Sequence, residues 1–354
     1  MSTERPRLSV VDAVEIALSV YGVPAASARD LGSDRDRTFA ILRTDGCSIA
    51  VLKVSNRWED PAVLDMEAEA ALHIMGEDPG LRVALPWRAR RDAGPARPGD
   101  RPEDLRARWW HGDVAHWVRL YHVLPGHSRI DAHDFSDAAL EAWGMTAARL
   151  TRALRGFSHP CARRPMPWNV QNALSARAML DDVWDADVRA AVAGVLDAYE
   201  RHAAPIWPAL RAQVVHADLT VENALSDDDG FITGIIDFGD MGHATIVSDL
   251  AAALDSVTGG RDGAELLRAG RLVVKGFQRC VPLERRELQA LPVAWAARSA
   301  LNIGLAAWRT ARGLKEREFA ERFNAPGLRT IRTLEGVGWD RAARALAEPV
   351  PRDS

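Results

Sequence analysis

The sequence predicts an α+β chain in two parts, a small β-rich amino-terminal lobe and a larger helical carboxy-terminal lobe. Three observations carry this. Before residue 124 the apolar residues fall mostly in short β-rich runs such as TFAIL and SIAVLKV. Leu124-Pro125-Gly126 then interrupts the pattern, as Pro and Gly do where an element must stop. Beyond Asp134 the apolar spacing is helical almost throughout. The expected division is 1–124 and 125–354, with a joint at the end of the first part and a cleft for a ligand where the two meet.

Residues 8–21 read as a helix, with Val10, Val14, Ala17 and Leu18 at helical spacing and Gly22 and Pro24 as its stop. Residues 37–43 and 48–54 read as strands joined through Thr44-Asp45-Gly46-Cys47, and Asp-Gly between apolar runs marks a hairpin. A helix follows at 62–76, then strands at 82–87 and 115–123. Seven arginines lie between 88 and 108 among Pro, Gly and Asp, without an apolar period. That segment reads as a long mobile connection rather than an anion site. Helices are expected at about 134–155, 174–191, 193–211, 246–257, 261–278, 284–311 and 317–346, with one β-type segment at 230–237.

Composition excludes several classes. The 354 residues include 47% hydrophobic and 27% charged residues, too apolar for a disordered chain. A net charge of −4 gives no electrostatic footprint for nucleic acid. No apolar run approaches the ~18 residues of a membrane span, and MSTERPRLSV has no apolar leader, so a cytoplasmic protein is expected. Cys47, Cys161 and Cys280 are scattered and form neither a disulfide framework nor a metal motif. Only three residues are lysine, Lys53, Lys275 and Lys315. Each therefore asks for a reason, because arginine does not replace a compact point charge on phosphate.

The chemistry concentrates in residues 214–240, VVHADLTVENALSDDDGFITGIIDFGD. Asp218 and Asn223 are five residues apart and Asp237 follows an apolar run fourteen residues later. Carboxylate, amide and carboxylate form an oxygen-only set that suits Mg²⁺. A carboxylate not engaged by metal accepts a hydroxyl proton, which is the division of labour of phosphoryl transfer. The bland alternatives are an Asx turn for the Asp-Asn pair and a helix-dipole contact for Asp249. Asp227, Asp228 and Asp229 read as a solvated turn.

His216-Ala217-Asp218-Leu219-Thr220-Val221-Glu222-Asn223 followed by Ile236-Asp237-Phe238 resembles the core of the aminoglycoside phosphotransferase and choline kinase family, relatives of protein kinases. The resemblance implies a bilobal protein-kinase-like fold. It implies Asp218 as catalytic base, Asn223 and Asp237 as metal ligands, and His216 and Asp249 as structural support of the loop. Lys53 sits among alternating apolar residues, and Glu67 shares the inward stripe of the next helix with Leu64, Ala71 and Met75. A strand Lys and a helix Glu that meet form the kinase pair holding the α- and β-phosphates, and the period turns the rival Glu69 away.

Within that family, Leu52-Lys53-Val54-Ser55-Asn56, Phe157-Ser158-His159-Pro160 and Asp237-Phe238-Gly239-Asp240-Met241 are similar to the hydroxylysine kinase branch, over roughly residues 28–255. The likeness implies a phosphate loop at 32–38 with Gly32, Ser33 and Thr38. It has a single glycine, and Thr38, Asn169 and Asp34 stand where the branch has Asn, Asp and Glu. Arg119–Leu124, with Tyr121 and Val123, is the expected hinge, whose backbone meets the nucleotide base. The resemblance implies ATP or GTP as donor, Mg²⁺, and a small-molecule acceptor such as 5-hydroxylysine. A cationic acceptor points to Glu222, Asp240, Asp181 and Asp182 as candidate contacts, although the last two read first as a solvated helix face. The alternatives are an antibiotic O-phosphotransferase and a non-catalytic nucleotide-binding protein of kinase fold. A hydrolase built on His216 and Asp218 lacks a second histidine cluster. Nothing after residue 260 carries a readable site signal.

Overall fold

The computed structural model describes residues 5–33, 35–89, 94–128 and 135–348. Asp34, the first residue of the helix expected from 134, and part of the arginine-rich segment lie outside the described residues. The chain divides into two compact units, Met1–Pro125 with Gly234–Gly239, and Gly126–Thr233 with Asp240–Ser354. A linear boundary at 124 does not include the return of Gly234–Gly239 to the first unit. Backbone bonds fix that return: Ile235 N–H donates to Arg82 O at 2.9 Å and Ala84 N–H to Ile235 O at 2.9 Å.

In the first unit, α1 (Val10–Tyr21) begins at a Ser9–Asp12 capping box and ends at Gly22 with φ 65°, the left-handed turn that glycine takes without strain. Strands β1 (Ser27–Asp30), β2 (Arg37–Leu42) and β3 (Ser48–Val54) precede helix α2 (Pro61–Glu77). Short strands β4 (Trp87–Arg88) and β5 (Gly94–Pro95) pair together, and β6 (Ala107–His111) leads into β7 (Val114–His122). The main sheet runs β1-β2-β3-β7-β6, with neighbours antiparallel. Phe39, Ile41, Leu52, Val54, Val118 and Leu120 pack with Ala13, Ile16 and Ala17 of α1. Side chains alternate along a strand, so Thr38, Lys53 and Arg119 share the other face. The register sets Thr38 opposite Lys53 and Lys53 opposite Arg119.

Two expectations for this unit fail. The strand at 82–87 reduces to β4 and a bridge from Val83 to Ile235. The described part of the arginine-rich segment is ordered rather than a mobile connection, with β5, a 3₁₀ turn at Pro102–Leu105 and the edge strand β6. Its arginines have partners. Arg106 donates to both oxygens of Asp65 at 2.6 and 3.0 Å and lies 4.2 Å from the centre of the Trp117 ring. Interleaved charges masked β6 because it is an edge strand with little apolar alternation.

The second unit holds α3 (Asp137–Ala153), α4 (Ala186–Ala198), α5 (Ile246–Val257), α6 (Gly263–Gln278), α7 (Arg285–Ala311), α8 (Arg317–Val337) and α9 (Trp339–Ala347). Four short strands lie along the same stretch of chain, β8 (Ala212–Val215), β9 (Ala224–Ser226), β10 (Ile232–Ile235, whose last two residues belong to the first unit) and β11 (Gly242–Thr245), paired β8 with β11 and β9 with β10. The sequence showed one of these, since three or four residues carry too little period to read. The helices expected at 174–191 and 193–211 are replaced by a 3₁₀ run at Val170–Asp182, then α4, a π turn at Tyr199–Ala203 and a short 3₁₀ turn. The helix expected at 317–346 breaks at Gly338, φ 86°. No described helix is long and apolar enough to cross a membrane.

Helix α7 is the axis of this unit. Its Ala-rich middle, with Trp295 fully buried, is covered on nearly every side, as expected of a helix that is apolar all round. Helices α3 and α6 meet backbone to backbone. A Cβ on Gly144 would lie 1.9 Å from Val273 O, and one on Gly276 would lie 1.9 Å from Glu141 O. Gly76, exposed near the end of α2, has nothing within 4 Å of that position. Gly144→Ala and Gly276→Ala should therefore each lower unfolding free energy by at least ~1–3 kcal/mol. Gly76→Ala should raise it by about 0.5–1 kcal/mol through helix propensity. Urea unfolding of the three variants checks both signs.

Candidate active site

The loop after β8 is built around a left-handed residue that is not glycine. Ala217 has φ 65°, a conformation that costs an ordinary residue free energy and persists where its surroundings hold it. Asp249 supplies that hold: its Oδ1 accepts the Ala217 N–H at 2.7 Å. Asp249 lies in the first turn of α5, which Thr245 caps, and burial raises its pKa against the opposing pull of His216 and the Ala217 N–H. His216 is fully buried, and its Nδ1 accepts a long 3.4 Å contact from Asp218 N–H. Val221 N–H donates to Ser256 Oγ at 2.9 Å, so α5 holds the loop at two points.

Asp218 follows the turn with its side chain 22% exposed. Asn223 Nδ2 donates to Asp218 Oδ2 at 2.8 Å and to its backbone oxygen at 2.9 Å. Arg298 Nη2 donates to Asp218 Oδ1 at 2.6 Å, while its Nη1 donates to Trp168 O at 2.9 Å. Arg298 is 5% exposed and lies in the middle of α7. Sequence reading missed it and found no site signal beyond 260. The available signal was an arginine inside LPVAWAARSALNIGL, an apolar stretch where an ionised group needs a partner. Its neighbour Ser299 donates to Asp255, as does Asn302 Nδ2 at 2.8 Å.

In the first unit, Lys53 Nζ lies 2.8 Å from Asp237 Oδ1. Asp237 has φ 60°, the second left-handed residue that is not glycine, and its Oδ1 also accepts Gly239 N–H at 3.3 Å. Burial pulls the Lys53 pKa down, but Asp237, Tyr121 and Glu67 outweigh it and hold it above the ordinary lysine range. Burial pushes the Tyr121 phenol up to about 12. The expected Lys53–Glu67 pair is not formed. Glu67 is buried, as its helical stripe predicts, but it accepts from Arg119 Nη1 at 2.6 Å. The reason lies in register: β3 and β7 set Lys53 beside Arg119, so two cations share two carboxylates, Glu67 taking Arg119 and Asp237 taking Lys53.

The remaining residues of the first unit sit around this group. Thr38 is buried beside Lys53 in register, and Val123 is exposed just beyond β7. Gly32, φ 75°, donates its N–H to Asp30 Oδ1 at 2.9 Å. Ser33 Oγ accepts Asp36 N–H at 3.3 Å, and Asp36 Oδ1 accepts Asn56 N–H at 2.9 Å. The loop is thus tied to the end of β3 by side chains in place of extra glycines.

For a divalent cation, Asn223 directs its amide nitrogen to Asp218, which leaves an amide oxygen as its hard donor. Asp237 offers a carboxylate. Among the described residues no group of three or more His, Cys, Asp or Glu is placed to hold a metal. Taken one at a time, Asn223 and Asp237 are each a hard oxygen donor of the kind used by an ion that takes few protein ligands and completes its shell with phosphate and water oxygens, as Mg²⁺ does. Of the acidic residues considered for a cationic acceptor, Asp182 is paired with Arg312 at 2.9 Å and Glu222 lies 3.6 Å from Arg322.

The Glu67–Arg119 pair is testable by itself. Both side chains are under 10% exposed, so Arg119→Met should cost roughly 3–5 kcal/mol by leaving a buried carboxylate uncompensated. Glu67→Leu combined with Arg119→Met should cost less than the two single losses added. Equilibrium unfolding of the cycle measures the coupling, and strict additivity would count against the pair.

Residues 116–283 match the family model of the phosphotransferase enzyme family. The chain is 27% identical to the hydroxylysine kinase of Danio rerio over 356 aligned residues, covering 97% of each protein. Among solved structures it is similar to a microcompartment-associated aminopropanol kinase, with TM-score 0.70, 19% identity, and coverage of 95% of this chain and 99% of that one. It is also similar to an amicoumacin kinase in complex with AMP-PNP, Ca²⁺ and its antibiotic, with TM-score 0.64, 19% identity, and coverage of 91% and 95%. These two share the fold, which is protein-kinase-like, with a β-sheet amino-terminal part and a mostly helical remainder. With residues 116–283 matching that family model and relatives matched along nearly the whole chain, this protein is a phosphotransferase of small molecules with an alcohol group as acceptor.

Proposed function

We propose that this kinase transfers the γ-phosphoryl group of ATP or GTP to the hydroxyl of an amino alcohol of the 5-hydroxylysine type. The observation that carries the reading is Asp218, a carboxylate held at both oxygens by Asn223 and Arg298 yet still reached by solvent. Each carboxylate oxygen has a second lone-pair site, so Asp218 retains an acceptor position for a substrate hydroxyl. Asp218 orients that hydroxyl and takes its proton as the oxygen–phosphorus bond forms and the bridging bond to the β-phosphate breaks, releasing the nucleoside diphosphate.

Lys53 holds the phosphates, with Gly32, Ser33 and Thr38 contributing from the 32–38 loop and the following strand. Tyr121 and Val123 belong to the segment whose backbone meets the base. Glu67 acts one step removed, by fixing Arg119 beside Lys53. Asn223 and Asp237 are the oxygen ligands for Mg²⁺, which when bound neutralises charge on the phosphates. His216 and Asp249 keep the Ala217 turn closed. The Danio rerio relative's name supports hydroxylysine as acceptor, and the aminopropanol kinase that shares the fold acts on another amino alcohol by its name. An antibiotic acceptor is the competing outcome, since the amicoumacin kinase shares the fold too.

Nucleoside diphosphate release should depend on 5-hydroxylysine, and Mg-ATP or Mg-GTP should raise the melting temperature by linkage. Stabilisation without acceptor-dependent release would shift the acceptor to an antibiotic. Asp218→Asn should lower transfer by roughly 10²–10⁴-fold while keeping the nucleotide-induced melting shift; full transfer in this variant would refute the base assignment. Asp237→Ala should remove most of the Mg²⁺-dependent part of the shift, and an unchanged Mg²⁺ titration would refute its role as ligand.

A further inference from the structure

We propose that Arg298 is a positioning residue for phosphoryl transfer, acting by fixing the orientation of the Asp218 carboxylate. This rests on Asp218 being the base. The terminal torsion of an aspartate is broad and nearly two-fold, so one donor leaves the carboxylate free to rock. Asp218 has two donors from separate elements: Asn223 in its own loop and Arg298 on α7, eighty positions away. Between them they fix the plane of the carboxylate and leave one lone-pair site open on each oxygen.

Arg298 is itself well anchored. Its helix is buried along most of its length, its side chain is 5% exposed, and its second terminal nitrogen is held by the Trp168 backbone oxygen. A guanidinium bound to two different acceptors has little rotational freedom. A nearby alternative anion exists in Asp255, but Ser299 and Asn302 occupy its two oxygens. Consecutive residues of α7 thus sort two carboxylates, Ser299 to Asp255 and Arg298 to Asp218. An arginine needed only to fill the core has no requirement to donate to a carboxylate that remains 22% exposed.

The test places Arg298→Met and Arg298→Lys in the full chain, each also combined with Asp218→Asn. Transfer to 5-hydroxylysine and acceptor-independent nucleotide hydrolysis are both followed with Mg-ATP and Mg-GTP. Arg298→Met should lower kcat about 10²-fold, the effect of a small misplacement of a reacting group, with nucleotide KM changed less than about twofold. Arg298→Lys should recover about tenfold of that loss by restoring one donor. Within the Asp218→Asn background, Arg298→Met should have no further effect, because an arginine that acts through Asp218 has nothing left to position. An unchanged kcat in Arg298→Met, an equal further loss in the Asp218→Asn background, or a Lys variant as impaired as Met would each overturn the proposal. Full activity of Asp218→Asn alone would instead overturn the base assignment, and hydrolysis without transfer to 5-hydroxylysine would overturn only the acceptor.

Discussion

The second unit turns on one requirement: a partly exposed carboxylate must hold a single orientation at the end of a loop. Ala217 turns the chain through left-handed space, Asp249 satisfies the N–H that this turn exposes, and Asp218 emerges beyond it. Asn223 and Arg298 then fix its two oxygens. Each support comes from an element whose own stability has another origin: α5 from its apolar face, α7 from burial on nearly every side. The polar geometry therefore depends on apolar packing.

The first unit solves a different problem, the placing of two cations side by side. Antiparallel pairing of β3 with β7 puts Lys53 and Arg119 opposite one another on one face, where like charges repel. Glu67 from α2 and Asp237 from the returning segment compensate them separately. The Arg119 pair is buried and acts as a fixed strut. The Lys53 pair is more open, with Asp237 held in a left-handed conformation and partly exposed to solvent. Under the roles proposed for Lys53 and Asp237, the open pair is the one a nucleotide and its cation would rearrange, while Glu67 engages Arg119 in the buried one.

The long elements and the residues of the 214–240 segment were legible in the sequence. Helix α5 was expected at 246–257 and forms at Ile246–Val257, because its apolar face is strong and Thr245 caps it. Strands β2 and β3 were legible for the same reason, with Asp-Gly between them. Several of the failures share a physical cause, which is that local pattern says nothing about partners distant in sequence. Lys53 and Glu67 sat on the right faces, but the cross-strand neighbour Arg119 intervened. Strand β6 was hidden by its charged surroundings. Arg298 lay inside an apolar helix with no motif around it, and its partner Asp218 is eighty positions away. The bracing role of Asp249 came from the family resemblance, since its position alone also fitted a helix-dipole contact; its Oδ1 accepts the Ala217 N–H.

The most direct test of the central claim is phosphorus NMR of the full-length protein with Mg-ATP or Mg-GTP and 5-hydroxylysine, followed as the nucleotide is consumed. A new phosphomonoester resonance, coupled to the proton on the hydroxyl-bearing carbon and growing one-for-one with nucleoside diphosphate, is the expected result. Nucleoside diphosphate accompanied only by inorganic phosphate, or no turnover with either nucleotide, would contradict the assignment of Asp218 to an amino-alcohol acceptor.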